Sequence, residues 1–380
     1  MSYSDIGMDQ HSRPDQRHYF FAGGGTGGHI YPALAVAEQI HKQSPDDSIL
    51  FFCSCREIDA RILSASEYEF LPLPAVGLSK SPKQILQFCL QFVKSYYFVK
   101  HVLLPYRENS VVIGTGGFVS GPVAYAAKAL KIPIYMINVD TVPGKANRVL
   151  GRLAKKVFVQ FDQSRPFFPK NEVEVVGCPL RSDFENPSPD RAVSDLGLDP
   201  DKKVLLVTGA SSGAANINHA MISILDDLAE FADQWQVVHL TGMLHIDQVQ
   251  EAVKGLAITY HAVDYYDDMA SLLAAADVVV GRAGAVSIAE FAAAGKPAIC
   301  LPYPYHKDKH QYKNAQVLVD AGAAVIVDDN IESPSQTAQD LLTALKELMG
   351  NESKRTAMAA CARDIGTTTA AERILDSVIC

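Results

Sequence analysis

His29 stands directly after Gly23-Gly24-Gly25-Thr26-Gly27-Gly28, five glycines in six residues. An imidazole titrates near neutrality, and one placed there can take a proton from a hydroxyl held over the loop, which makes His29 a candidate general base. Gly23, Gly25 and Gly28 satisfy the G-x-G-x-x-G spacing, in which missing side chains let backbone N–H groups approach a phosphate at a helix N-terminus. A tight turn without a ligand and a packed or capping histidine also fit these residues. A second cluster, Ile113 to Pro122 (IGTGGFVSGP), offers more backbone donors at Gly116, Gly117 and Gly121, and two such loops together suit a diphosphate. In the second half, the turn Arg282 to Gly284 leads into a segment carrying Glu290, and a carboxylate near the start of a helix can accept both hydroxyls of a ribose. His306, Lys307, Asp308, His310 and Gln311 then mix donors and acceptors in the way sugar hydroxyls require. No metal-ligand spacing accompanies them: the one D-x-D triplet, Asp199 to Asp201, lies in a polar Pro- and Asp-rich stretch.

Such loops need strands and helices to aim them. YFFAG, SILFFCS, SVVIG, IPIYMIN, KVFVQF and VEVVG are short apolar runs, each followed by Gly, Pro or helix-forming sequence. The rhythm predicts α/β architecture, parallel sheets with helical crossovers. It breaks at ENPSPDRAVSDLGLDPDKK, then restarts at Val204 and continues through WQVVHLTG, AITYHAV, DVVVGRAG, PAICLPY and AAVIV. YFFAGGGTGGHIYPALAVAEQI and VLLVTGASSGAANINHAMISIL are the same strand, turn and helix written twice. Two Rossmann-like domains with parallel sheets facing a central cleft are therefore expected. The boundaries read as a disordered extension over 1–18, a domain over 19–185, a linker over 186–201, a domain over 202–365 and a last segment over 366–380. A nicotinamide dehydrogenase would want an acidic residue at the end of the second strand; here that strand ends in Cys53, Ser54 and Cys55, with Glu57 and Asp59 beyond it.

The 380 residues are 48% hydrophobic and 20% charged, with a formal net charge of −9, which argues against nucleic acid as the main partner. Seven scattered cysteines without a C-x-x-C pair fit a reducing compartment better than a disulfide framework or a zinc site. The polar first eighteen residues lack the apolar core of a secretory signal, and no run of eighteen uncharged apolar residues occurs anywhere. Cytoplasmic residence is expected. Against the acidic background, Pro82 to Arg107 carries Lys83, Lys94, Lys100 and Arg107 and no Asp or Glu, among Leu, Phe, Tyr and Val. Such a helix can lie in the headgroup region of an anionic bilayer, peripheral to the membrane, or serve as a buried crossover helix.

GGGTGGHIYPALAVA, GGFVSGP, VVGCPLR, GASSGA, YYDDMASLLAAADVVVGRAGAVSIAEFAAAGKPA and HKDKHQYKNA, in that order from about Phe20 to the region of Ala323, resemble the MurG family of glycosyltransferases. Enzymes of this kind, in family 28, add N-acetylglucosamine from UDP-N-acetylglucosamine to a polyprenyl-diphosphate-linked muramyl peptide in peptidoglycan synthesis, at the inner face of the cell membrane. The resemblance implies the GT-B fold, with the acceptor on the N-terminal domain and the UDP-sugar on the C-terminal one. It also implies a last helix, around Ala370 to Val378, that returns to the first domain. By the same likeness His29 is the base that deprotonates the acceptor hydroxyl. Arg181, Ser211 and Gly213 hold the donor diphosphate, Tyr265 lies beside the uracil, Glu290 meets the uridine ribose, Ala285 is a further donor-binding position, and His310 and Gln311 read the sugar. Gly25, Thr26, Gly27, Gly28, Gly116, Gly117 and Asp140 are matched to the acceptor diphosphate.

The implied chemistry is one inverting displacement at the anomeric carbon, without metal or cofactor. The chain departs from the family pattern in having Ile137, Asn138, Val139 and Asp140 where H-E-Q-N is common. His310 replaces the first of two glutamines, Ser212 a glutamine of the glycine turn, and Cys178 an asparagine. A glycolipid synthase acting on diacylglycerol, a UDP-N-acetylglucosamine epimerase and a non-catalytic UDP-sugar-binding protein would keep much of the same sequence.

Overall fold

A strand buried on both faces needs apolar residues without polar alternation, and the runs named above supply them. The computed structural model describes residues 16–77, 81–168, 173–210, 213–305 and 308–379. The chain forms two compact units: Met1–Val139 with Pro143–Arg181 and Thr369–Cys380, and Asp140–Val142 with Ser182–Thr368.

The first unit is built on a seven-stranded sheet of β1 (His18–Gly23), β2 (Ser48–Ser54), β3 (Glu69–Leu73), β4 (Ser110–Gly116), β5 (Ile134–Asn138), β6 (Lys156–Val159) and β7 (Val173–Val175). Every pairing is parallel, in the order β3-β2-β1-β4-β5-β6-β7. The order reverses between β1 and β4, so the loops leaving their C-terminal ends diverge and leave a crevice where ligands bind in such sheets. Its helices are α1 (Gly27–Gln43), α2 (Glu57–Ser64), α3 (Pro82–Leu103), α4 (Ser120–Ala129) and α5 (Lys145–Gly151). Phe20, Phe52, Val112, Val123 and Val157 form the core, each large side chain contributing about 1.5–3 kcal/mol of apolar burial.

The second unit repeats the plan with β8 (Lys203–Thr208), β9 (Trp235–Leu240), β10 (Thr259–Val263), β11 (Val278–Gly281), β12 (Ala298–Cys300) and β13 (Ala324–Ile326), all parallel in the order β10-β9-β8-β11-β12-β13. Its reversal point falls between β8 and β11. Helices α6 (Pro189–Leu196), α7 (Ala215–Ser223), α8 (Ile246–Ala252) and α9 (Met269–Ala275) precede α10 (Ala285–Ala293), α11 (His310–Asp320), α12 (Pro334–Gly350) and α13 (Glu352–Ile365). Trp235, Leu205, Val207, Leu341 and Leu345 are fully buried between sheet and helices.

The last helix, α14 (Ala370–Ile379), groups with the first unit. It packs on α1, and Arg373 and Ser377 reach Glu174 at 3.2 and 3.3 Å.

Four boundaries need correction, one being the last segment, which begins at Thr369 rather than at 366. The extension ends before residue 18, because His18 opens β1, paired to Ser48 and Ser110, and Arg17 N donates to Asp47 Oδ1; residues 1–15 lie outside the described set. The units divide at Arg181/Ser182 rather than at 185. The expected linker over 186–201 is folded: α6 packs on α9, with Ser188 N donating to Ser271 Oγ at 3.0 Å and Arg191 paired to Asp268. α3 is not a buried crossover helix, since it buries only Ser95, Val99, Val102 and Leu103. Among the described residues no helix is long and apolar enough to cross a membrane.

Candidate active site

In the first unit the site grows from the turn between β1 and α1. Gly24 and Gly25 make the turn, Gly25 at φ +92°, and α1 opens at Gly27 with Thr26 as its N-cap. Asp59, fully buried in the first turn of α2, holds the turn from beneath. Its carboxylate accepts from Gly25 N (2.8 and 2.9 Å to its two oxygens), Ser54 N (2.9 Å) and Ser54 Oγ (2.6 Å). A Cβ on Gly24 would stand 2.3 Å from Asp59 Oδ2, so the carboxylate can lie there only beneath a glycine. Arg56 fixes the other side of the turn through a 2.8 Å bond to Gly25 O.

His29, half-buried in the first turn of α1, places Nδ1 3.1 Å from Gly24 O and 3.3 Å from Thr26 Oγ1. Thr115 Oγ1 donates to its backbone oxygen at 2.7 Å and so ties β4 to His29. The second glycine turn is pressed against the first. A Cβ on Gly117 (φ +81°) would be 2.5 Å from Gly24 O, and one on Gly116 (φ +117°) would be 3.0 Å from the His29 ring and 2.7 Å from Asn147 Oδ1. Asn147 of α5 in turn donates to Asn138 Oδ1 at 3.2 Å.

This geometry corrects part of the expected diphosphate cradle. Gly25 N–H is engaged by Asp59, and Gly116 N–H donates to Ser120 Oγ at 3.2 Å, so neither points at a ligand. Gly27 and Gly28 remain as the opening of α1, where the first N–H groups have no acceptor within the helix. Arg181, at the end of this unit, sets its guanidinium 5.1 Å over the Tyr31 ring of α1. Asp140 does not join the group: it clusters with the second unit, where Asn314 Nδ2 donates to its Oδ1 at 3.0 Å and Asn314 Oδ1 accepts from Thr141 N and Oγ1.

In the second unit the same edge of the sheet carries the remaining residues. Ser211, like His306 and Lys307, lies outside the described residues. Gly213 (φ +72°) donates its N–H to Ala210 O at 3.1 Å, closing the turn after β8 rather than offering that group to a ligand. A Cβ there would be 2.3 Å from Thr241 O. The turn thus rests on the end of β9, which Asn218 of α7 secures by donating to Thr241 O at 2.9 Å. Asn218 Oδ1 meets buried His239 Nε2 at 3.0 Å, and His239 Nδ1 meets Tyr260 Oη at 2.8 Å. Burial pulls the His239 imidazole down to about 3 and pushes the Tyr260 phenol up, so both are neutral.

After β11, Arg282 turns the chain into α10. Its guanidinium donates to Asp329 Oδ2 at 2.7 Å and Leu301 O at 2.9 Å, and Asn216 of α7 donates to both Asp329 oxygens at 2.9 and 3.0 Å. Asp329 thereby links the starts of α7 and α10, where the donor residues are expected. Ala285 opens α10, and Glu290 lies half-buried within it. Tyr265 is 40% exposed in the loop after β10. His310 Nδ1 is 2.8 Å from Asp308 Oδ1, and Gln311 Oε1 accepts from Tyr303 N at 2.9 Å, which leaves the Gln311 amide NH₂ to donate. Among the described residues no group of three or more His, Cys, Asp or Glu side chains is placed to hold a metal ion.

Sequence reasoning missed Asp59, Asn147, Asn314 and Asp329. Asp59 carried a readable signal, an acid in the first turn after β2, but it was weighed only as a ribose ligand. Asn314 lies within HKDKHQYKNA, but its partner Asp140 is 174 positions away; Asp329 pairs with Arg282 across 47 positions, and Asn147 with Asn138 across nine.

Residues 19–159 match the glycosyltransferase family 28 N-terminal domain and residues 204–374 its C-terminal domain. The chain is 34% identical over 356 residues to the UDP-N-acetylglucosamine–N-acetylmuramyl-(pentapeptide) pyrophosphoryl-undecaprenol N-acetylglucosamine transferase of Halalkalibacterium halodurans, covering 93% of this chain and 96% of that one. A protein of the same name from Leuconostoc mesenteroides is 37% identical over 364 residues, covering 94% and 98%. Among solved structures, MurG of Acinetobacter baumannii aligns with a TM-score of 0.72 at 27% identity, covering 95% of this chain and 99% of its own. A UDP-GlcNAc 2-epimerase from Neisseria meningitidis, at 15% identity, TM-score 0.68 and coverage of 96% and 99%, is similar in fold alone.

Proposed function

We infer the activity from the premise that this chain belongs to glycosyltransferase family 28. It is a hexosyltransferase that moves N-acetylglucosamine from UDP-N-acetylglucosamine to the muramyl peptide linked through a diphosphate to undecaprenol, a step of peptidoglycan synthesis. The observation that carries this is identity of 34 and 37% sustained over 93 and 94% of the chain with proteins of that name.

In the mechanism we propose, the acceptor hydroxyl lies over α1 and gives its proton to His29 Nε2 as its oxygen attacks the anomeric carbon. The bond from that carbon to the diphosphate oxygen breaks on the opposite face, configuration inverts, and UDP leaves with the electron pair. The positive end of α7 and the Arg181 guanidinium stabilise the departing charge, and Glu290 holds the ribose. Charge on UDP is met without a metal in this account, so activity should survive EDTA; its loss, with recovery on adding Mg²⁺, would contradict it.

The acceptor is a lipid, and α3 supplies a means of reaching it. Leu86, Leu90, Val93 and Tyr97 recur at helical spacing and are 61, 63, 50 and 66% exposed. Lys83, Lys94, Lys100 and Arg107 flank this stripe, and a hollow of about 740 Å³ lined by Pro72, Leu73, Tyr97 and Phe98 lies beside it. We read this face as a peripheral docking surface for an anionic bilayer at the cytoplasmic side. Flotation with anionic liposomes should carry the native chain upward and leave the Lys94→Glu/Lys100→Glu variant behind; equal flotation would refute the reading.

Transfer itself is tested by following labelled N-acetylglucosamine into the lipid phase with the muramyl lipid as acceptor. The native chain should extract label. His29→Ala should slow extraction by about 10²–10⁴ if His29 is the base, and native turnover in that variant would remove the assignment.

A further inference from the structure

We propose that Asp59 is a positioning residue for the base: through the single peptide unit Gly24–Gly25, its carboxylate holds the His29 imidazole in the tautomer and orientation that proton abstraction needs. The proposal rests on His29 being the base.

One peptide carries the whole connection. Its N–H, on Gly25, donates to both oxygens of Asp59 at 2.8 and 2.9 Å. Its C=O, on Gly24, faces His29 Nδ1 at 3.1 Å. No peptide bond in the described chain is cis, so the two ends of the unit point in opposite directions and fixing one aims the other. A carbonyl oxygen only accepts, so the atom facing it, Nδ1, carries the ring hydrogen. Thr26 Oγ1, 3.3 Å from the same nitrogen, can accept or donate and does not change this. With hydrogen on Nδ1, the lone pair of the neutral ring is on Nε2, the atom the mechanism requires.

The carboxylate adds charge to this geometry. An N–H···O⁻ bond is charge-assisted and polarises the peptide, so the Gly24 oxygen becomes a stronger acceptor for Nδ1–H. The effect grows as the imidazole becomes imidazolium, when the proton from the acceptor hydroxyl arrives. An aspartate bonded directly to a catalytic histidine acts in the same sense, orienting the ring and stabilising its charged form; here a peptide is interposed. The surroundings fit a part that must not move. Asp59 is fully buried, Ser54 gives it two further bonds, Arg56 clamps Gly25 O, and the Gly117 backbone blocks the far side of Gly24.

The test is ¹⁵N NMR of the full-length chain labelled at histidine nitrogens, with His29 assigned by the signal lost in His29→Ala. The long-range ¹H–¹⁵N pattern should show hydrogen on Nδ1 in the native chain and a mixture of tautomers in Asp59→Asn. In turnover assays Asp59→Asn should lower kcat about 10- to 100-fold with the KM for UDP-N-acetylglucosamine within about twofold of native, and Asp59→Glu should restore part of the loss. Native His29 with hydrogen on Nε2, or Asp59→Asn with native kcat, overturns the proposal. Should Asp59→Asn not fold, the native spectrum alone decides. Full turnover in His29→Ala would instead overturn the base assignment, and the tautomer result is independent of it.

Discussion

Replacing Asp329 by alanine should destabilise the second unit by about 3–5 kcal/mol, the usual cost of leaving one member of a buried ion pair without its partner. The side chains of Arg282 and Asp329 are only 8 and 3% exposed, so water cannot take over the lost contact. Arg282 would keep Leu301 O as an acceptor, while Asn216 would lose both of its bonds to Asp329. For a domain of this size each kcal/mol moves Tm by about 2–4 °C, so the shift should be about 6–20 °C. The chain has a single tryptophan, Trp235, fully buried in β9, so its fluorescence during urea unfolding follows the second unit specifically. UDP affinity should fall as well, because Arg282 and Asn216 set the starts of the two helices that carry the proposed donor residues. The Arg282→Met/Asp329→Leu double variant removes both charges and should be more stable than Asp329→Ala. An Asp329→Ala unfolding free energy within about 1 kcal/mol of native would refute the reasoning.

His239 makes the second unit acid-sensitive. Its folded pKa is depressed from 6.5 to about 3, so below pH 6.5 the unfolded chain binds a proton that the folded chain does not. Its contribution is therefore complete above pH 6.5 and is lost as pH falls toward 3, at up to about 1.4 kcal/mol per pH unit. Urea midpoints across that window should slope accordingly and flatten in His239→Gln; an unchanged slope would contradict the assignment. Gly117→Ala sets a Cβ against Gly24 O at a left-handed φ and should cost about 1–3 kcal/mol with loss of turnover, read by denaturation and steady-state kinetics; a neutral outcome would show that the two glycine turns are not packed as described. Glu290→Ala should weaken UDP binding about 10- to 100-fold by calorimetry, as expected for hydrogen bonds to a charged group, and unchanged affinity would remove the ribose assignment.

Both sheets were legible because strands buried on two faces must be written as apolar runs, and the glycine turns because only missing side chains allow such close backbone approach. The sequence also carried the marks of α6, Pro189 at the start and Gly197 in the left-handed conformation at its end, but its polar composition read as a linker. Which way an N–H points was not legible. Gly25 satisfied the G-x-G-x-x-G spacing and Gly116 lay in the second glycine cluster, yet their donors are engaged by Asp59, 34 positions away, and by Ser120. The Arg282–Asp329 pair spans 47 positions, and Asp140 is grouped by Asn314, 174 positions on; side-chain partners at such separations leave no local pattern.

The most direct test of the central claim is UDP release from UDP-N-acetylglucosamine by the purified chain, offered the undecaprenyl-diphosphate muramyl peptide, diacylglycerol, or no acceptor. Release with the muramyl lipid alone is the predicted result and would make the Ile137–Asp140 segment a tolerated variation of the family motif. Release with diacylglycerol alone, or without any acceptor, would contradict the proposed function.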